Sequence, residues 1–209
     1  MLKDYDIFLF DFDGTLFDTY ESSIYVFEEA YSRIGVKISR DDILAFTREP
    51  IPVSYKRVMD TSDGYPEFIK MIDELVLSQK VVDMTKIYDD TANMVKYLKA
   101  HNKVVGIVTS NADEHVLDIL NKYGLAKYLD IIVGNRKAPI PKPSPKPILK
   151  ALELLNALDK KDKVVYVGDS INDAISAEEA KVKPILLDRL DEFKHLKYQT
   201  INSLEEIKG

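Results

Sequence analysis

Five short runs of the chain are apolar at nearly every position, and each ends abruptly in polar residues. They are DIFLF (6–10), VVGIV (104–108), DIIV (130–133), KVVYV (163–167) and PILL (184–187). Such runs are too short for a helix, do not alternate and are rich in β-branched side chains. A strand buried on both faces requires that pattern. Between the runs, apolar positions return at intervals of three and four. Val116, Ile119, Leu120 and Tyr123 form one such stripe, and Gly124 is placed to stop the helix. Ile148, Leu149, Leu152 and Leu155 form another after Ser144-Pro145, a helix start. The segment SINDAISAEEA (170–180) predicts a third helix. Strands alternating with helices predict an α/β fold: a doubly wound parallel sheet with helices on both faces.

One stretch breaks the alternation, because no second apolar run arrives until residue 104. Within it, Tyr20, Ile24, Phe27, Tyr31 and Ile34 share a helical face. Ser39 followed by Asp42 marks another helix start, and Phe68, Ile72, Leu75, Val76 and Gln79 line a further stripe. Residues 17–84 are therefore expected to be a small α-helical cap domain inserted into the chain. Residues 1–16 and 85–209 are expected to form the α/β core.

Composition narrows the function. A chain of 209 residues that is 45% hydrophobic can bury a real core. Charge bookkeeping gives 29 − 35 = −6, which argues against a broad nucleic-acid footprint. The absence of cysteine excludes disulfides, thiolate metal sites and thiol nucleophiles. Met1 to Asp4 reads as polar, so no signal peptide is expected, and no apolar run approaches the ~18 residues of a membrane span. The expectation is a cytoplasmic protein with neither a nucleic-acid nor a membrane partner.

In an open parallel sheet, ligands bind beyond the carboxyl ends of the strands. The residues that follow each apolar run are therefore the candidates. After IFLF come Asp11-Phe12-Asp13-Gly14-Thr15, and after VVGIV come Thr109-Ser110-Asn111. After DIIV come Gly134-Asn135 and then Lys142 in PKPSP; after KVVYV come Gly168-Asp169-Ser170 and then Asn172-Asp173. Acids, hydroxyls and a lysine converge on one edge.

Asp11 and Asp13 are two apart, so in extended chain they face one ligand. Asp169 and Asp173 are four apart, neighbours once a helix begins. Four clustered carboxylates repel unless a cation sits among them, and hard oxygen donors suit Mg²⁺ rather than zinc. Lys142 supplies a second positive charge. Thr109, Ser110 and backbone N–H groups can complete an oxyanion cradle. A carboxylate in line with phosphorus is a competent nucleophile, forming an aspartyl-phosphate. A second carboxyl can protonate the leaving oxygen and then deprotonate water. Asp11 is assigned the first task and Asp13 the second.

In these residues the chain resembles the haloacid dehalogenase superfamily, most of whose members are Mg²⁺-dependent phosphatases with a Rossmann-like core. DFDGT resembles the first family motif, IVTSN the second, PKPSP the third and VGDSINDA the fourth, in order and each after its strand. The resemblance implies that Asp11 is the nucleophile and Asp13 the general acid/base. It implies Mg²⁺ held by the Asp11 side chain, the Asp13 main-chain carbonyl and Asp169, with Asp173 supporting the site directly or through water. It implies phosphate bound by Thr109, with Ser110 and Asn111 beside it, and charge neutralised by Lys142. The helical insert matches the subgroup with a small cap, which includes phosphoglycolate phosphatases, pyrophosphatases and β-phosphoglucomutases.

Single residues sort these relatives. The dehalogenases carry an aromatic residue where this chain has Asp13, so phosphoryl transfer is expected. Mutases usually show Glu-Asp in the fourth motif, whereas Gly168-Asp169 points to a phosphatase of a small phosphorylated metabolite. Arg48 in FTREP lies where mutase relatives place a cap arginine that grips the substrate's far end. A phosphomutase is thus the alternative, and a phospho-acceptor signalling domain a remote one. Plainer readings stand beside these. Thr109 can also serve as N-cap of a helix over 112–123. Lys137 and Lys146 compete with Lys142. The tyrosines serve packing, and His101, His115 and His195 are expected on the surface.

Overall fold

The computed structural model describes residues 3–46, 49–193 and 195–208. The chain folds as two compact units, Met1–Asp18 with Ile87–Gly209, and Thr19–Lys86. In chain order, β1 (Ile7–Phe10) and the short β2 (Phe17–Asp18) come first. Helices follow: α1 (Tyr20–Arg33), α2 (Arg40–Phe46), α3 (Ile51–Met59), α4 (Tyr65–Val76) and α5 (Gln79–Met84). Then come β3 (Lys86–Ile87), α6 (Thr91–Ala100), β4 (Val104–Val108), α7 (Asp113–Lys122) and β5 (Ile131–Val133). The chain ends with α8 (Lys146–Leu154), β6 (Val164–Gly168), α9 (Ile171–Ala180), β7 (Lys183–Leu187) and β8 (Thr200–Ile201).

The larger unit is built on a six-stranded sheet in the order β5-β4-β1-β6-β7-β8, with every neighbouring pair parallel. This is the doubly wound α/β architecture that the apolar runs predict. β1 lies between β4 and β6, with Ile7 opposite both Val104 and Val164. Alternation along β1 sends Ile7 and Leu9 into a core shared with Ile148 and Leu152 of α8 and Ala177 and Ala180 of α9. Phe8 and Phe10, also fully buried, point to the opposite face. The chain winds outward from β1 through β4 to β5, then crosses back to β6 and winds outward again to β7. Right-handed crossovers accordingly place α6 and α7 on one face and α8 and α9 on the other. The reversal leaves a crevice beyond the carboxyl ends of β4, β1 and β6.

The helical unit has its own core. The α1 stripe buries Ile24, Phe27 and Tyr31. Tyr31 meets Phe68 of α4 in a tilted contact at 4.7 Å between ring centres, and Tyr55 of α3 meets the same ring at 4.8 Å. Truncating such a buried ring to alanine costs about 3–5 kcal/mol. The Ser39–Asp42 start is realised, with the Asp42 amide donating to Ser39 Oγ at 3.1 Å. Among the described residues, no helix is long and apolar enough to cross a membrane.

Candidate active site

The first acidic loop leaves β1 at its buried end. Asp11 continues the ladder, its amide donating to the Val167 carbonyl at 2.8 Å. The chain then turns sharply, and the Leu16 and Phe17 amides both reach back to the Phe12 carbonyl. Gly14 makes this turn possible. Its φ is +71°, and a Cβ there would lie 2.1 Å from Asp169 Oδ2. The neighbouring Thr15 hydroxyl donates to Asp169 Oδ1 at 3.1 Å, tying the first loop to the fourth.

Asp169 follows β6 and Asp173 lies one turn into α9. Ser170 caps that helix in a reciprocal box: the Asp173 amide donates to Ser170 Oγ at 3.3 Å, and the Ser170 amide donates to Asp173 Oδ2 at 3.1 Å. The box presses Asp173 against the strand end, so a Cβ on Gly168 would fall 2.3 Å from Asp173 Cγ. Both Asp173 oxygens are engaged. Oδ2 accepts from Ser170 Oγ at 2.6 Å, and Oδ1 accepts from Lys142 Nζ at 2.5 Å.

Lys142 reaches in from the loop before α8, its side chain nearly buried, and pairs with Asp11 Oδ1 at 2.7 Å as well. Lys137 and Lys146 are placed otherwise: Lys137 Nζ donates to the Ile132 carbonyl and pairs with Asp113, while Lys146 starts α8. Asp11, Asp169 and Asp173 each offer an oxygen within 4.8 Å of the others.

Electrostatics follow from this crowding. Burial pushes the Asp11 carboxyl well above the usual range, Lys142 pulls it back, and Asp173, Asp169 and Asp13 add repulsion. Asp169 is pushed up to about 7, by burial first and then by the Asp173 charge, with Lys142 and the Thr15 hydroxyl opposing. Burial works against the Lys142 charge, but Asp11 and Asp173 outweigh it and keep the ammonium protonated. Three acids share one fixed cation, so full ionisation leaves two negative charges uncompensated. The donor set is all oxygen. A small divalent cation fits both the charge and the ligand chemistry.

Asp13 stands apart from that cluster. Its carboxylate faces Thr109 Oγ1 at 3.4 Å and Asn111 Nδ2 at 3.3 and 3.4 Å. Thr109 is buried, and Ser110 is exposed beside it. Thr109 does not cap the next helix. α7 begins at Asp113 behind Ala112, and Thr109 Oγ1 accepts the Asn111 amide at 3.1 Å, closing a tight turn instead. Arg48 lies outside the described residues.

A second correction concerns His115. It is buried rather than superficial, because it adjoins Val116 and precedes Ile119 by four on the inward side of α7. Burial holds its imidazole below the usual range, with Asp13 and Asp118 opposing. His101 and His195 are on the surface. Thr15 and Ser170 stand in the motif stretches without an assigned role, and Tyr166, whose hydroxyl lies 3.1 Å from Lys142 Nζ, is absent from the motif reading. A tyrosine inside a fully buried strand needs a partner for its oxygen, and that need is the signal for it.

Known proteins resemble the chain over most of its length. The family model described as haloacid dehalogenase-like hydrolase matches residues 8–187. The chain is 30% identical to the pyrophosphatase PpaX of Halalkalibacterium halodurans, over 84% of this chain and 80% of that protein. It is 29% identical to the phosphoglycolate phosphatase of Aquifex aeolicus, over 86% and 83% of the two. A haloacid dehalogenase-like family hydrolase of Streptococcus pneumoniae shares the fold, with a TM-score of 0.83 at 18% identity and coverage of 99% and 98%.

Proposed function

We propose that this chain, which belongs to the haloacid dehalogenase-like hydrolases, is a Mg²⁺-dependent phosphatase acting on a small phosphorylated metabolite through an aspartyl-phosphate on Asp11. The observation that carries this reading is the close trio of Asp11, Asp169 and Asp173, two buried and one half-buried, with the Lys142 ammonium paired to Asp11 and Asp173. Relatives named pyrophosphatase and phosphoglycolate phosphatase support a phosphorylated substrate.

In this reading Asp11 attacks phosphorus, and its ion pair with Lys142 fixes the direction of the carboxylate. Asp11 and Asp169, with the Asp13 main-chain carbonyl, hold Mg²⁺, which when bound polarises the phosphoryl oxygens and screens the acids from one another. Asp173 has both oxygens committed to Ser170 and Lys142, which favours a supporting role over direct ligation. Asp13, free of the trio, carries the proton: it protonates the leaving oxygen, then takes a proton from the water that releases phosphate. Its long contacts to Thr109 and Asn111 leave it room to move between these tasks. Thr109, Ser110 and Asn111 line the phosphate side. The helical unit, Thr19–Lys86, is the cap of this reading, with Arg48 as its candidate substrate contact.

The test is hydrolysis of a generic aryl phosphate with and without Mg²⁺. Wild type should turn over only with the metal, and Asp11→Asn should abolish turnover while keeping the fold. Wild-type rates in Asp11→Asn would retire the nucleophile. Transfer between isomers of a sugar monophosphate, in place of release of inorganic phosphate, would establish the mutase alternative.

A further inference from the structure

The hydroxyl of Tyr166 lies beneath the site. Its ring belongs to the apolar core on the α8 and α9 face, with Leu9, Val108 and Val164. The oxygen meets three polar groups: the Val108 carbonyl at 2.8 Å, Lys142 Nζ at 3.1 Å and Asp173 Oδ1 at 3.2 Å. A phenol carries one proton and two lone pairs. The Val108 carbonyl is the nearest acceptor, so the phenol proton goes there and the lone pairs turn toward the ammonium.

Lys142 has three N–H bonds to place. Its hydrogen-bond acceptors are Asp173 Oδ1 at 2.5 Å and the Tyr166 oxygen at 3.1 Å, and it pairs with Asp11 Oδ1 at 2.7 Å. Among the described residues, Tyr166 is the uncharged member of that set. Without it, the ammonium keeps its two anions but loses the contact that fixes rotation about its last bond. The Val108 carbonyl, one residue before Thr109, loses its phenol donor as well.

We propose that Tyr166 is a positioning residue: its hydroxyl, anchored on the Val108 carbonyl, holds the Lys142 ammonium across Asp11 and Asp173. One oxygen thereby joins the ends of β4 and β6, the loop before α8 and the first turn of α9. The consequence for rate rests on the phosphatase reading; the geometry does not.

Tyr166→Phe removes one oxygen and keeps the ring, so the core stays filled. The first measurement is nitrogen-detected NMR of the lysine ammonium groups in metal-free protein, with Lys142→Met identifying the Lys142 signal. Wild type should show a slowly exchanging Lys142 ammonium, and Tyr166→Phe should speed that exchange at least about tenfold, the scale of one lost charged hydrogen bond. The second measurement is steady-state hydrolysis. kcat should fall about tenfold with KM held within about twofold, since Tyr166 acts through Lys142 rather than on substrate. No protected Lys142 signal in wild type, an unchanged signal in Tyr166→Phe, or an unchanged kcat overturns the proposal. If wild type hydrolyses nothing, the phosphatase reading falls, and the ammonium comparison alone decides the positioning.

Discussion

Replacing Arg189 by methionine should destabilise the larger unit through one identifiable network. Arg189 follows β7 and grips Asp90 with both arms, Nη1 to Oδ2 at 3.0 Å and Nη2 to Oδ1 at 2.9 Å. Nη2 also donates to the Thr15 carbonyl at 3.0 Å, and the guanidinium lies over the Tyr88 ring at 4.0 Å. Asp90 further accepts from the Ser203 hydroxyl at 2.9 Å and the Leu204 amide at 3.0 Å. Breaking a buried pair by removing one partner costs about 3–5 kcal/mol. Here the side chains are 22% and 10% exposed, and Ser203 and Leu204 still solvate the carboxylate, so roughly 2–3 kcal/mol is expected. For a chain of this size that is about 4–12 °C in Tm. Burial raises the Asp90 pKa, but the bonds from Arg189, Leu204 and Ser203 outweigh it and hold the carboxyl below its usual range. The folded state thus favours the ionised form, and that stability is fully present above about pH 4 and lost as pH falls through the lower folded value. The Tm gap between Arg189→Met and wild type should be full at pH 7 and shrink on acidification below about pH 4. Thermal melts followed by circular dichroism measure it. A gap under about 1 °C at pH 7, or one that widens in acid, refutes the reasoning.

Mg²⁺ should protect the protein more at high pH than at low. Asp169 is pushed up to about 7, so the metal-free folded state holds an extra proton and loses stability as pH rises toward 7, whereas the cation binds the ionised form. The Tm gain on adding Mg²⁺ should therefore be larger at pH 8 than at pH 5.5, and equal gains would exclude the acidic trio as the metal site. Gly14→Ala puts a Cβ 2.1 Å from Asp169 Oδ2 at a φ of +71°. It should abolish Mg²⁺-dependent turnover and weaken the Mg²⁺ thermal shift, and wild-type behaviour in both would show that the first loop is not held against the fourth.

The strands and the polar residues at their ends are legible in the sequence for one physical reason. A strand buried on both faces has no polar position to spare, so the first polar residue after it marks the sheet's edge. The α6 stripe of Thr91, Met94, Val95 and Leu98 is harder to see, because Lys96 and Lys99 interrupt it and a threonine begins it. β8 is two residues long and carries no periodicity at all. His115 misleads because Asp113 and Glu114 precede it, although its spacing to Ile119 puts it on the buried side. Thr109 has the chemistry of a cap, but the helix starts four residues later, and its oxygen is taken by Asn111. Pairings such as Arg189 with Asp90, 99 residues apart, depend on the tertiary fold and leave no local mark.

The position of β1 between β4 and β6 has a further consequence. Neighbouring strands in a sheet run roughly 4.8 Å apart, whatever side chains they carry. Asp11, Thr109 and Asp169 step off three adjacent rails, and main-chain bonds such as Asp11 N to Val167 O and Thr109 N to Val133 O carry the ladder right up to them. The width of the crevice is therefore ruled by peptide geometry rather than by its lining. Side chains at these positions can be exchanged, and the chemistry altered, without resizing the frame that presents them.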